Sequence, residues 1–136
     1  MFSSFDVSTS GLVAQRTRLN AISSNIANMS TTRNELGMPE PYQPRFVTFQ
    51  TDTKLTTPGG GAGVEVGSVE ISNELPKMKY EPGHPDADER GFVRYPAVDM
   101  TTEFVDALEA TRAYEANVGV IEVSKNLADQ ALRIIA

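Results

Sequence analysis

The stretch DMTTEFVDALEATRAYEANVGVIEVSKNLADQALRIIA, residues 99–136, contains no proline and one glycine, Gly119. Its apolar residues recur at helical spacing. One row is Val120, Val123, Leu127, Ala131 and Ile134; its neighbour is Ile121, Ala128, Leu132 and Ile135. Acids precede bases by three or four residues at Glu109/Arg112, Glu122/Lys125 and Asp129/Arg133, the order that supports a solvated helix face. Asp99 has the chemistry of an N-cap, and Glu103 favours the helix dipole in the first turn. The pattern predicts one long amphipathic helix that runs to the last residue and ends apolar. An ordinary core helix of a globular domain has the same periodicity.

The other end mirrors it. Residues 3–30 predict a second amphipathic helix, capped by Ser3 or Ser4. Phe5, Leu12, Leu19 and Ile26 lie seven apart; Ile22 and Met29 fall between them, whereas Ser8 and Gln15 hold the two earlier places. All eight prolines and eight of the ten glycines lie between residues 31 and 100. The chain therefore divides into helical ends and a turn-rich middle. The expected fold is α+β: long N- and C-terminal helices packed as a coiled-coil-like antiparallel pair, with a small, mostly β domain inserted. The corresponding divisions are 1–33, 34–98 and 99–136. Such a pair buries one stripe per helix. Val7, Val13, Phe104, Val118 and Ile134 must then find cover elsewhere, which suggests neighbouring subunits.

In the middle, residues 31–62 read as loop except for a short strand at 45–49. Thr56 to Gly61 reads as a flexible link, not a phosphate loop, because no Gly-Lys-Ser/Thr follows. Val64, Val66, Val69 and Ile71 alternate with polar residues and slip by one at Gly67-Ser68, which predicts a bulge. Met78–Tyr80 and Phe92–Tyr95 predict further strands, and the four or five strands together predict one small sheet.

Composition removes several functions. The net charge of −6 argues against nucleic acid. The absence of cysteine excludes disulfides, thiolate catalysis and cysteine-based metal sites. No apolar run approaches the roughly 18 residues of a membrane span. The first residues have neither a basic segment nor an apolar one, so no cleaved secretory signal is expected. One imidazole and two carboxylates at His84, Asp86 and Asp88 have metal-ligand chemistry, but Pro82, Gly83 and Pro85 shape an ordinary surface loop around them. No nucleophile motif accompanies the single histidine. No catalytic residue, cofactor, metal or small-molecule substrate is expected. The alternative is a free soluble binding module holding a ligand or metal at the His84/Asp86/Asp88 loop.

The run Ile22-Ser23-Ser24-Asn25-Ile26-Ala27-Asn28-Met29-Ser30-Thr31-Thr32-Arg33 resembles the N-terminal signature of the rod and hook family of axial proteins of the bacterial flagellum. The segments Tyr80–Asp88, Gly91–Val93, Tyr95–Asp99 and Ala113–Val118 are most similar to its proximal-rod members. The resemblance implies a structural subunit of the torque-transmitting rod that crosses the periplasm, exported unfolded through the flagellar type III apparatus. It implies partners among other rod proteins, copies of itself, the basal-body adaptor and the inner-membrane ring. The residues expected at subunit interfaces are Leu12, Leu19, Ile22, Asn25, Ile26, Asn28, Tyr114, Asn117, Val120, Ile121, Leu127, Leu132 and Ile135. The Asn25 and Asn28 amides are expected to bond backbone at the helix end and in a neighbouring subunit. The loop carrying His84, Asp86 and Asp88 is expected to face outward and set register between subunits.

Overall fold

The computed structural model describes residues 2–136, with side chains from Ser4 onward. Among these the order is α1 (Phe2–Ala27), β1 (Arg45–Thr56), β2 (Ala62–Ile71), β3 (Lys77–Tyr80), β4 (Phe92–Tyr95) and α2 (Met100–Ile135). The architecture is α+β, with the strands between two long helices. α2 starts where expected: the Asp99 carboxylate accepts from the Thr102 backbone N–H at 2.9 Å. α1 starts earlier than expected. It is already helical at Phe2, so Ser4 lies inside it and is not its cap, and the Ser3 side chain lies outside the described residues.

The helices run antiparallel. Gly11 faces Asn117, Arg18 faces Asp106 and Glu109, and Asn25 faces Glu103. The stripe buried on α1 is Ser8, Gly11, Ala14, Ala21, Ile22 and Asn25. Phe5, Leu12, Leu19 and Ile26 are only half-buried. Small residues dominate the stripe because the helices approach closely: a Cβ on Gly11 would stand 2.9 Å from both terminal atoms of Asn117. Periodicity located the helix but not the face that meets its partner.

α1 also packs against both strands of the β1–β2 hairpin, so it lies between the hairpin and α2. The Ser10 hydroxyl joins the two, accepting from the Val64 N–H at 3.0 Å while donating to the Val7 carbonyl at 2.6 Å.

The hairpin corrects the loop expected over residues 31–62. β1 extends to Thr56, and its run of threonine, valine and phenylalanine suits a pleated surface. Thr57 to Gly61 is a closed turn, not a loose link. Thr57 N–H donates to the Gly61 carbonyl at 2.7 Å, and Gly60 takes φ +82°, a conformation open to glycine. The bulge falls where predicted: Thr48 pairs with Ser68 and Phe49 with Val66, leaving Gly67 unpaired. A second irregularity, Thr53 to Leu55, escaped prediction.

The strands form two separate two-stranded antiparallel sheets, not one. In the second, β3 pairs with β4 from Lys77/Tyr95 to Tyr80/Phe92. Among the described residues, neither strand packs on a helix. Val93 is fully buried at the centre of this lobe, and Pro96 and Val98 are buried with it. Bonds from Arg94 to the Pro39 carbonyl and from Lys77 to the Val98 carbonyl hold the lobe to the connecting chain.

Candidate assembly interface

The helix pair leaves one end uncovered. With Gly11 opposite Asn117, Phe2 lies level with about residue 126, and the last nine or so residues of α2 extend ~14 Å beyond α1. Leu132, Ile134 and Ile135 on this overhang are 64%, 85% and 83% exposed. Further back, Val120, Val123 and Leu127 are exposed, as are Phe104, Val105 and Leu108 near the start of α2. Ala110 is the one buried residue of α2 among the described residues. A 36-residue helix showing this much aliphatic surface is not satisfied by its own chain.

The residues expected at interfaces separate into three groups. Tyr114, Val120, Leu127, Leu132 and Ile135 are exposed. Leu12, Leu19, Ile26, Asn28, Asn117 and Ile121 are half-buried. Ile22 and Asn25 are buried inside the subunit. Of the residues expected to need outside cover, Val13, Phe104 and Ile134 are exposed, whereas Val7 and Val118 are half-buried.

Asn25, 3% exposed, joins four segments. Its amide nitrogen donates to the Arg45 carbonyl at 2.8 Å and to the Glu103 carboxylate at 3.1 Å. Its oxygen accepts from the Arg45 N–H at 2.8 Å and from the Tyr42 hydroxyl at 3.1 Å. Two donors and two acceptor positions are thereby all used, and none remains for a neighbouring subunit. The expectation of an intersubunit bond from Asn25 is corrected accordingly. Asn28 closes the helix end: its amide donates to the Ser24 carbonyl at 2.9 Å and its oxygen accepts from the Thr31 hydroxyl at 3.1 Å. Burial at the helix junction pushes the Glu103 carboxyl above its ordinary value. The Asn25 bond opposes that shift, and the charge of Asp106 adds to it.

The loop carrying His84, Asp86 and Asp88 turns inward at Asp86, whose side chain is 7% exposed. Asp86 accepts from the Thr32 hydroxyl at 2.7 Å and from Arg33 Nε at 2.6 Å, so it fastens the loop to the chain leaving α1. The Thr32 hydroxyl bond, then Arg33, hold its carboxyl below the ordinary range against the opposing effect of burial. His84 Nδ1 accepts from the Asp86 backbone N–H at 3.0 Å, and Asp88 accepts from the N–H groups of Arg90 and Phe92, both at 2.9 Å. His84 and Asp86 are thus neighbours, with Nδ1 3.9 Å from Asp86 Oδ2, while Asp88 closes the following turn. Among the described residues no group of three or more His, Asp or Glu is arranged to hold a metal ion. The same limit applies to membrane spans: no described helix is long and apolar enough for one.

Sequence reading missed Tyr42, Arg45 and Glu103 as partners of Asn25. All three are ordinary surface residue types, and only the fold brings them together. Ser10 and Thr32 were missed for the same reason.

Known proteins carry the same two ends. The family described as flagella basal body rod protein matches residues 5–33, and the C-terminal family of the flagellar basal body rod FlgEFG proteins matches residues 89–134. The flagellar basal-body rod protein FlgC of Borreliella burgdorferi is 40% identical over 152 aligned positions, covering 99% of this chain and 97% of that protein. FlgC of Salmonella typhimurium is 40% identical, covering 90% and 89%. FlgC of Bacillus subtilis is 37% identical, covering 98% and 97%.

Proposed function

Since this chain belongs to the FlgC family of flagellar basal-body rod proteins, a structural family and not an enzymatic one, we propose that it is a proximal-rod subunit whose outer helix faces are covered only on assembly. As a rod protein it assembles with other basal-body components. In the finer reading, these are other rod proteins, copies of itself, the basal-body adaptor and the inner-membrane ring. The subunit reaches them through the flagellar export apparatus, and its rod crosses the periplasm.

The observation that carries this reading is the aliphatic surface of α2. Val120, Leu127, Leu132 and Ile135 lie on a helix that its own chain covers on one side only. Transmitting torque requires continuous helix seams between subunits, and such seams must stay exposed until the neighbours arrive. In this arrangement the terminal segments, 1–33 and 99–136, form the axial core, with Tyr114, Asn117 and Ile121 on the same helix as the exposed row. Leu12, Leu19, Ile26 and Asn28 supply the corresponding positions on α1. The middle segment, 34–98, faces outward, which agrees with a hairpin on the side of α1 away from α2.

The test is Val120→Glu and Leu127→Glu in cells lacking the native gene. Both positions are exposed, so the circular dichroism spectrum should be unchanged and the unfolding free energy should stay within about 0.5 kcal/mol of wild type. Export should continue while incorporation into basal bodies and swimming are lost. Normal swimming by both variants overturns the proposal.

A further inference from the structure

A groove opens between α1 and the tip of the β1–β2 hairpin. Its volume is about 480 Å3. Val13, Ala14, Leu55, Val64 and Val66 give it an apolar floor, and Val13 is 59% exposed. Asp6 and Glu65 stand at its rim, and no lysine or arginine lines it. Its shape and charge suit a short apolar helix end that carries a base.

Among the described residues, the end of α2 has this character. The last turn of α2 presents Leu132, Ile134 and Ile135, all strongly exposed, with Arg133 among them. It cannot fill the groove of its own molecule. Asn117 lies level with Gly11, beside the groove, and Arg133 is sixteen residues further on, ~24 Å along a continuous helix.

Resting on the rod-subunit reading above, we infer that this last turn of α2 seats in the α1–hairpin groove of a second copy of the chain. Ile134 and Ile135 lie on Val13 and Val64, and Arg133 pairs with Asp6 and Glu65. The two surfaces are different patches of one molecule, so the contact is heterologous and repeats without closing unless the rotation makes a ring. One helix turn buries far less than the roughly 1,200 Å2 of a stable binary interface. In solution the contact is therefore weak, and it gains strength where a tether or neighbouring contacts raise the effective concentration.

The chain contains no cysteine, so the contact can be read by disulfide trapping. Purified Val13→Cys and Ile134→Cys chains, each checked by circular dichroism, are mixed and oxidised. The heterodimer is expected in at least about five-fold excess over that from Val13→Cys mixed with Thr111→Cys, a control on the exposed face of α2. Arg133→Glu in the tail partner should reduce the yield, and Asp6→Arg in the groove partner should restore it. Equal trapping with Thr111→Cys, predominance of Ile134→Cys homodimers, or no charge-swap rescue would each overturn the inference. The readout is independent of motility. Failed trapping alongside loss of incorporation in Leu127→Glu cells removes the tail contact and leaves the rod reading intact. Successful trapping alongside swimming Leu127→Glu cells does the reverse.

Discussion

The side chain of Asn25 and the backbone of Arg45 bond in both directions: the amide donates to the Arg45 carbonyl and accepts from the Arg45 N–H, each at 2.8 Å. This is the pairing one strand residue offers another, supplied here by a helix. It fixes where β1 begins against α1, and the Glu103 bond fixes α2 at the same point. Asn25→Ala would orphan the Arg45 N–H and carbonyl and remove the bond to the Glu103 carboxylate, while the Tyr42 hydroxyl keeps the Ser24 hydroxyl as a partner. At 1–3 kcal/mol for a buried unsatisfied group, and with water reaching some of them, the expected loss is roughly 2–3 kcal/mol. Urea denaturation of the purified chain measures it. A loss below about 0.5 kcal/mol would show that the junction is held by packing alone.

Gly11 and Asn117 set the spacing of the helix pair. Gly11→Ala gains helix propensity of about 1 kcal/mol but places a methyl 2.9 Å from the Asn117 amide, which must move. Gly11→Leu has no such escape and is expected to cost about 1–3 kcal/mol by overpacking. Adding Asn117→Ala should recover part of that loss, giving a coupling energy above about 0.5 kcal/mol in a double-mutant cycle. Strict additivity would mean that the helices separate freely at this level.

The two helices were legible because 3.6-residue periodicity and an N-cap at Asp99 are local signals. The bulge at Gly67 was legible because a slip in alternation is local too. What the periodicity of α1 concealed was its partner face. Leu12 and Leu19 dominate the pattern, yet the close approach of α2 selects Gly11, whose added Cβ would meet Asn117. The hairpin was half-missed because Asp52 and Lys54 interrupt the apolar run, while the pairing that sustains β1 comes from β2. The roles of Asn25 and Asp86 were illegible for a plainer reason. Their partners are 20 and 54 residues distant, and an amide or carboxylate alone does not disclose whom it bonds.

Asp86 makes one arm of the acid sensitivity. Its folded carboxyl titrates below the ordinary value of 3.8, chiefly because the Thr32 hydroxyl and Arg33 bond its charged form. A lowered carboxylate stabilises the fold above its unfolded value, and that contribution disappears as pH falls through the folded value. Stability should therefore drop below about pH 4 in the wild type. In Asp86→Asn the acid limb should be shallower, with a lower plateau at pH 7. Amide exchange at residues 82–88 and 31–34 should accelerate together in the variant, since one carboxylate fastens both. Acceleration confined to the loop would show that the helix exit is held independently.

Glu103 acts with the opposite sign. Burial at the junction, with Asp106 nearby, raises its folded carboxyl above the ordinary value of 4.5. The unfolded chain therefore ionises first, and the stability linked to this group is greatest below that value and is lost as pH rises through the folded one. Glu103→Gln removes the charge but keeps an oxygen to accept from Asn25. It also gives up a favourable helix-dipole interaction, about 0.3–1 kcal/mol at low salt. Desolvation is the first cause of the shift, so the variant should match or exceed wild type at pH 7, with an advantage that shrinks towards pH 4. Denaturation midpoints of the two proteins from pH 4 to 8 settle the sign. A variant less stable at pH 7 than at pH 4, relative to wild type, would mean that the charge of Glu103 holds the junction together and that its bond to Asn25 outweighs its burial.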